Sequence, residues 1–332
     1  MSVLLFVVAF CVVALLVYTT RYSGRIRVEG TRIVDAATSE AYACVVDLRR
    51  WPEWSPWLDA ASAVESRHLG PSDAATGTYR WLRGDTEVGC IEHVRIDGPG
   101  RRIEQRLRMS RPFPVRARLR WQLAKCEGKT RVTCTIRGRV GFSMRAFAAT
   151  VQGALALDVR YGLDRLARLV EPDSAERYAV RYEGVREIGG VRYAYVEHTG
   201  SLEGIGQAMD TAVRELRDAL AGQGVAVTGE PITVYLRTSA GHRTTACRFA
   251  VPIGEAIVEG VSVASLPAHR AFVATLEGSR EHLELAWYLA MQRLSGADQR
   301  PDLRLTPSER YVRDAVTGSA NDATTELRIP VL

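Results

Sequence analysis

The second half of the chain repeats itself, and a duplicated unit restricts the available folds more than any composition does. Val196-Glu197-His198-Thr199-Gly200-Ser201 returns as Ala274-Thr275-Leu276-Glu277-Gly278-Ser279 at an offset of 78 residues. Glu230-Pro231-Ile232-Thr233-Val234-Tyr235-Leu236-Arg237 returns as Thr306-Pro307-Ser308-Glu309-Arg310-Tyr311-Val312-Arg313 at 76, and Val251-Pro252 as Ile329-Pro330 at 78. Periodicity gives each unit the order strand, helix, strand, strand. One face of the first helix carries Leu202, Ile205, Met209, Val213, Leu216 and Leu220; the second carries Leu283, Ala286, Trp287, Ala290 and Leu294. Two such units are expected to pair about a pseudo-twofold axis with a groove between them.

One departure inside the repeat points to chemistry. Glu309 stands where the first unit has Thr233, while the nearby Pro and Tyr are common to both units. Shared residues serve the scaffold, so the difference marks where one half is specialised. A carboxylate beside aromatic walls favours a cation through charge and cation–π contact. Partly desolvated, it gains a raised pKa and can act as a general base toward water. The alternative is an exposed strand glutamate next to Arg310 and Arg313. For Tyr195, Tyr235 and Trp287, pocket wall and core packing are both open.

From Tyr178 to Leu332 the sequence resembles the gyrase-inhibitor-like domain, also the effector-binding domain of AraC- and MerR-type regulators. The pieces that carry the resemblance are Tyr195 to Ser201, Glu309-Arg310-Tyr311 and the closing Leu327-Arg328-Ile329-Pro330-Val331. It implies a pocket at the repeat interface, with Glu309 as its buried glutamate, Tyr311 beside it and Trp287 on a helix facing it. In regulators such a pocket takes cationic lipophilic compounds; some stand-alone relatives hydrolyse strained, cyclopropane-containing alkylating compounds. No helix-turn-helix precedes this stretch, so the transcription-factor role does not carry over and no nucleic-acid partner is expected.

The first half reads as antiparallel sheet. From Val115 to Leu123 the odd positions are apolar and the even ones polar, and Val132, Cys134, Ile136, Gly138 and Val140 alternate with Arg131, Thr133, Thr135, Arg137 and Arg139. A two-residue Gly128-Lys129 turn sets Leu123 opposite Cys134 and Trp121 opposite Ile136, with both apolar sets on one face. Cys126 and Cys134 then face opposite ways, which argues against a disulfide. Further strands are expected over Arg25–Val34, Gly77–Leu82 and Ile103–Met109, with helices over Thr38–Leu48 and Met144–Val170.

With that order, the segment Asp47-Leu48-Arg49-Arg50-Trp51-Pro52-Glu53-Trp54-Ser55-Pro56-Trp57 resembles the START-type helix-grip superfamily (SRPBCC, polyketide-cyclase-like) across residues 25–170. The resemblance implies an apolar cavity between helix and sheet. Trp51, Trp54 and Trp57 either line its mouth or close the core, and His93 reads as structural.

Ser2 to Thr20 is a 19-residue run without a charge, followed by Arg21, Arg25 and Arg27. It is expected to be an uncleaved single-pass transmembrane helix, with the following domains on the cytoplasmic face of the inner (plasma) membrane; a cleaved signal peptide is the rival. The net charge of +6 hides a split: 27 basic against 16 acidic residues over 1–170, but 17 against 22 beyond. Arginines 106, 108, 116, 118, 120, 131, 137 and 139 fall on one sheet face, either solvated or laid on anionic lipid headgroups.

The expected class is α+β: an anchor and juxtamembrane segment over 1–24, a helix-grip domain over 25–170, a linker over 171–176 and the duplicated domain over 177–332. Cys/His spacing offers no metal site, and no phosphate loop, G-x-S-x-G or H-E-x-x-H occurs, so no cofactor is expected. The function expected is binding or sequestration of small hydrophobic or cationic-amphiphilic molecules near the membrane. Its rivals are a hydrolase of reactive xenobiotics using Glu309, a polyketide-cyclase-like enzyme, and a protein-binding gyrase-type inhibitor.

Overall fold

The structure is a computed structural model that describes residues 10, 13–18, 20–55, 57, 65–70, 77–97, 102–110, 113–171, 178–239, 244–296, 299–313 and 323–332. It divides into two units, Met1–Ser174 and Ala175–Leu332. Each is an antiparallel sheet with helices, so the class is α+β.

In the first unit, strands β1 (Arg25–Val34), β2 (Glu65–Leu69), β3 (Thr78–Arg83), β4 (Thr86–Asp97), β5 (Arg102–Met109), β6 (Val115–Cys126) and β7 (Lys129–Val140) form one sheet. Their order is β1-β7-β6-β5-β4-β3-β2. The chain therefore runs as consecutive hairpins, with β1 returning to close beside β7. Helices α1 (Thr38–Val46) and α2 (Trp51–Trp54) follow β1, and the long α3 (Ala148–Val170) packs across β1, β7, α1 and α2. This is the helix-grip arrangement. The reason is visible in β6, where Val115, Ala117, Leu119, Trp121 and Leu123 are buried and the residues between them exposed. A strict period of two can bury only one face, and α3 supplies the apolar stripe that covers it.

Two details differ from expectation. In the β6–β7 hairpin Trp121 pairs with Cys134 and Leu123 with Val132, a slip of two residues. The turn is Glu127-Gly128, with φ of 50° and 81°, the pair of positive values that a tight primed hairpin turn requires. A non-glycine at the first position hides this turn from a reading that starts it at the glycine. Because the slip is even, every side chain keeps its face. The final helix opens as a 3₁₀ segment, Phe142–Phe147, before α3 begins.

The single-pass anchor and the inner-membrane placement built on it are corrected. Among the described residues no helix is long and apolar enough to cross a membrane. Residues 1–9, 11–12 and 19 of the expected span lie outside the described residues. Near the end of that segment, the Tyr18 hydroxyl donates to the Phe142 carbonyl at 3.0 Å and the two rings meet at 5.3 Å.

The second unit contains β8 (Tyr178–Ile188), β9 (Val191–Ser201), α4 (Ile205–Ala221), β10 (Ile232–Ser239), β11 (Thr244–Pro252), β12 (Ser262–Leu266), β13 (His269–Gly278), α5 (Leu283–Gly296), β14 (Ser308–Arg313) and β15 (Thr324–Pro330). Its eight strands run β12-β9-β11-β10-β14-β15-β13-β8. Exchanging each strand for its repeat counterpart reproduces the order from the opposite edge. The centre of that symmetry is the β10–β14 pair, where Thr233 lies directly opposite Glu309. Helix α4 packs on β9 and β11, and α5 on β13 and β8.

Gly138 marks a close approach in the first sheet. A Cβ there would lie 2.3 Å from the Arg116 carbonyl oxygen and 2.6 Å from the Ala117 Cα. Both are backbone atoms that cannot swing aside, so Gly138→Ala should destabilise the first unit by about 1–3 kcal/mol. Urea unfolding followed by tryptophan fluorescence checks this; an unchanged midpoint would contradict it.

Candidate functional site

The repeat-equivalent strands β10 and β14 bring Thr233, Tyr235, Glu309 and Tyr311 to the centre of the second sheet. Glu309 is 1% exposed. Its Oε1 accepts hydrogen bonds from the Tyr235 hydroxyl at 2.9 Å and from the Trp287 indole N–H at 2.5 Å. Its Oε2 accepts from the Tyr311 hydroxyl at 2.5 Å. Tyr311 has spent its proton on Glu309, so the Thr233 hydroxyl, 2.9 Å away, donates to Tyr311. Both repeat-related tyrosines thus converge on the one carboxylate, and the threonine facing it across the strand pair supports one of them.

The electrostatics follow from burial. Desolvation raises the Glu309 pKa, opposed by the hydrogen bonds from Tyr311, Trp287 and Tyr235 and then by Arg280. Burial, followed by the Glu309 charge, holds both Tyr235 and Tyr311 well above the ordinary phenol value, which keeps them protonated as donors. Cys247 is pushed up to about 12 by burial and by Glu309, so it is an uncharged thiol. The nearby cation is Arg280, whose guanidinium lies 5.6 Å from the centre of the Tyr311 ring. Arg280 is already paired with Asp210 at 2.8 Å. The surface of the cluster consists of the half-buried Trp287 and Tyr235 rings, set edge to face at 5.8 Å.

The family whose model is described as polyketide cyclase / dehydrase and lipid transport matches residues 25–171. The GyrI-like small-molecule-binding domain matches residues 185–332. The chain carries a polyketide cyclase-type domain followed by a GyrI-like domain. Among solved structures it is similar to the EcmrR C-terminal domain, at 16% identity and a TM-score of 0.40 over 47% of this chain and 98% of that one. A protein from Chromobacterium violaceum, CV1439, matches at 19% identity and a TM-score of 0.34, covering 46% of this chain and 99% of that one. SAV2435, solved bound to tetraphenylphosphonium, matches at 13% identity and a TM-score of 0.37, covering 46% and 94%. No curated protein matches the chain.

Of the residues proposed for the GyrI-like pocket, Glu309, Tyr311, Trp287 and Tyr235 come together and Tyr195 does not. Tyr195 packs with Tyr193, Ile232, Val234 and Ala250, whereas Tyr235 and Tyr311 pack with Met209 and Phe249. Alternation along β9 and β10 puts these sets on opposite faces of the sheet, and Arg248 covers the Tyr195 ring at 4.4 Å. Arg280 and Asp210 were not singled out from the sequence. A signal existed for Arg280: at the offset of 78, its counterpart is the apolar Leu202.

In the cyclase-type domain, Trp51 and Trp54 are fully buried, donating to the carbonyls of Val45 and Cys44 at 3.0 and 3.1 Å. Trp57 is half-buried and donates to Asp158 at 3.0 Å. Trp121 meets Trp54 edge-on at 5.5 Å and donates to Gln105 at 2.8 Å. His93 bonds the Val46 carbonyl through Nε2 at 2.9 Å, which makes Nε2 the protonated nitrogen and leaves Nδ1 to accept from Gln105. Among the described residues no group of three His, Cys, Asp or Glu side chains could hold a metal ion.

The raised Glu309 pKa has a definite sign. A carboxyl group that is harder to ionise when folded adds stability below its ordinary value of 4.5, and that stability is lost as pH rises through its folded value. Glu309→Gln should therefore gain stability relative to wild type as pH rises through that window. Melting temperatures of both proteins across a pH series check this; a constant difference would contradict it.

Proposed function

We propose that the GyrI-like domain binds a small lipophilic monocation, its charge paired with Glu309 and its apolar body laid on the Trp287 and Tyr235 rings. The observation that carries this reading is the buried Glu309 carboxyl, whose hydrogen-bond partners are two neutral hydroxyls and an indole N–H. Arg280 pairs with Asp210 at 2.8 Å. Once ionised in this desolvated setting, Glu309 carries a charge from which an arriving cation gains far more than it would in water. Three hydrogen-bond donors hold that charge in place, and the aromatic rings supply a cation–π surface. The chain then works as a capture module for cationic amphiphiles.

A second reading makes Glu309 a general base in a hydrolase, and the upward shift of its pKa is what favours it. Against it stands the use of both carboxylate oxygens: Oε1 already accepts two bonds and Oε2 one. The cyclase-type domain, on the other side of residues 171–176, is proposed as a separate module for an apolar ligand.

Tetraphenylphosphonium is a suitable lipophilic cation for the test. Wild type should bind it more tightly as pH rises above 4.5, because only the ionised carboxylate attracts it. Glu309→Gln should weaken binding roughly ten- to a hundredfold, the loss of about 1.5–3 kcal/mol expected when the coulombic partner of a partly desolvated cation is removed. Isothermal titration of both proteins measures this. Unaltered affinity in the variant would overturn the binding reading, and wild-type turnover of an electrophilic substrate that the variant loses would establish the hydrolase.

A further inference from the structure

The outer face of the first sheet carries eight arginines in an ordered array that the site above does not use. Arg108, Arg116, Arg139 and Arg25 stand directly opposite one another across β5, β6, β7 and β1. In the neighbouring row Arg106, Arg118, Arg137 and Arg27 do the same. All eight are exposed. Strand spacing and strand rise make this a patch of about 14 by 7 Å at the backbone, with like charges neighbouring in both directions.

Such an arrangement costs stability, because like charges directly opposite on adjacent strands repel. Any polar residue satisfies an outward position, as Gln122, Thr133 and Thr135 do further along β6 and β7. Carboxylates relieve only the rim. Glu92 reaches Arg106 at 2.5 Å and Arg108 at 3.4 Å, and Glu29 reaches Arg27 at 4.0 Å. Glu104 is taken by Arg102 at 2.5 Å and Arg120 at 3.1 Å. Among the described residues no carboxylate pairs with Arg116, Arg118, Arg137 or Arg139, the four at the centre. An open cavity of about 510 Å³ lies over the β5–β7 part of the array, lined by Arg106, Arg108, Arg116, Ala117, Arg118 and Arg137.

The missing partner is therefore anionic, multivalent and compact. Guanidinium forks match oxyanions two bonds at a time, and a run of linked phosphates presents such oxyanions in series. The outward positions of β1 and β5–β7 carry no aromatic side chain, so the face lacks the stacking platforms of a single-stranded nucleic-acid binder. Glu92 at one end and Glu104 with Glu29 along one side bound the patch, which suits a finite polyanion better than an extended anionic surface. We propose that this array is a binding site for short linear inorganic polyphosphate.

The test uses the full chain and inorganic tripolyphosphate, titrated calorimetrically at low ionic strength beside orthophosphate. Tripolyphosphate should bind at least tenfold more tightly than orthophosphate. Its affinity should fall steeply with added salt and be unaffected by Glu309→Gln. The double variant Arg118→Ser/Arg137→Ser should lose at least tenfold in affinity, with a melting temperature unchanged or raised because repulsion is relieved. Arg118→Lys/Arg137→Lys keeps the charge and loses the forks, so it should fall between; it also decides the matter if the serine variant does not fold. Equal binding of the two phosphates, or affinity that neither double variant changes, would overturn the proposal. So would binding of phosphatidylserine vesicles or a single-stranded oligonucleotide that tripolyphosphate cannot displace.

Discussion

Thr233 and Glu309 face each other across the β10–β14 pair, and that single juxtaposition organises the second unit. Duplication brings equivalent residues together at the centre of the sheet, where whatever one unit carries meets its counterpart. Two carboxylates there would stand as buried like charges at the distance of a cross-strand pair, so only one unit can hold an acid. The threonine is what the other unit must supply: small, uncharged and able to donate. Its hydroxyl bonds Tyr311, which bonds Glu309, while the symmetry-related Tyr235 reaches the same carboxylate directly. A symmetric scaffold with one acid gives the centre of the sheet a polarity that neither repeat has alone.

The two units treat their polar groups in opposite ways. Inside the cyclase-type domain, Trp51, Trp54, Trp57, Trp121, Gln105 and His93 each have a hydrogen-bond partner, which fixes how these side chains are oriented. On its outer face the four central arginines have no carboxylate partner among the described residues. In the GyrI-like domain the buried carboxyl accepts three hydrogen bonds, all from neutral donors. Satisfaction of hydrogen bonds and satisfaction of charge are separate conditions, and a site can meet the first while leaving the second open to a ligand.

Much of this was legible in the sequence, where periodicity or repetition carried it. The β6–β7 alternation settled which residues of that hairpin lie inside, because a period of two survives an even slip in register. It did not settle the turn, since Glu127 adopts a positive φ that its residue type does not advertise. The strand β2 carried no comparable pattern and went unrecognised. In the second unit, aligning the repeats pointed to Glu309 because it broke the match. The same comparison contained Arg280, facing Leu202 in the alignment, but a long-range ion pair to Asp210 on another helix has no signature in spacing. Tyr195 shows the converse: a motif position can belong to the opposite face of the sheet, which only strand parity reveals. The apolar run at the amino terminus was read from length and composition alone, and no described helix sustains the span that reading required.

Cation capture by the GyrI-like domain requires a Glu309 carboxyl that ionises to receive the ligand. Proton release during ligand binding measures this most directly. Calorimetric titration with tetraphenylphosphonium, repeated at one pH close to the Glu309 titration in buffers of different ionisation enthalpy, gives the number of protons released. Wild type should release a fraction of a proton, fading at pH well above the Glu309 titration and absent in Glu309→Gln. Binding with no buffer dependence anywhere in that range, or a release that persists in the variant, would contradict it.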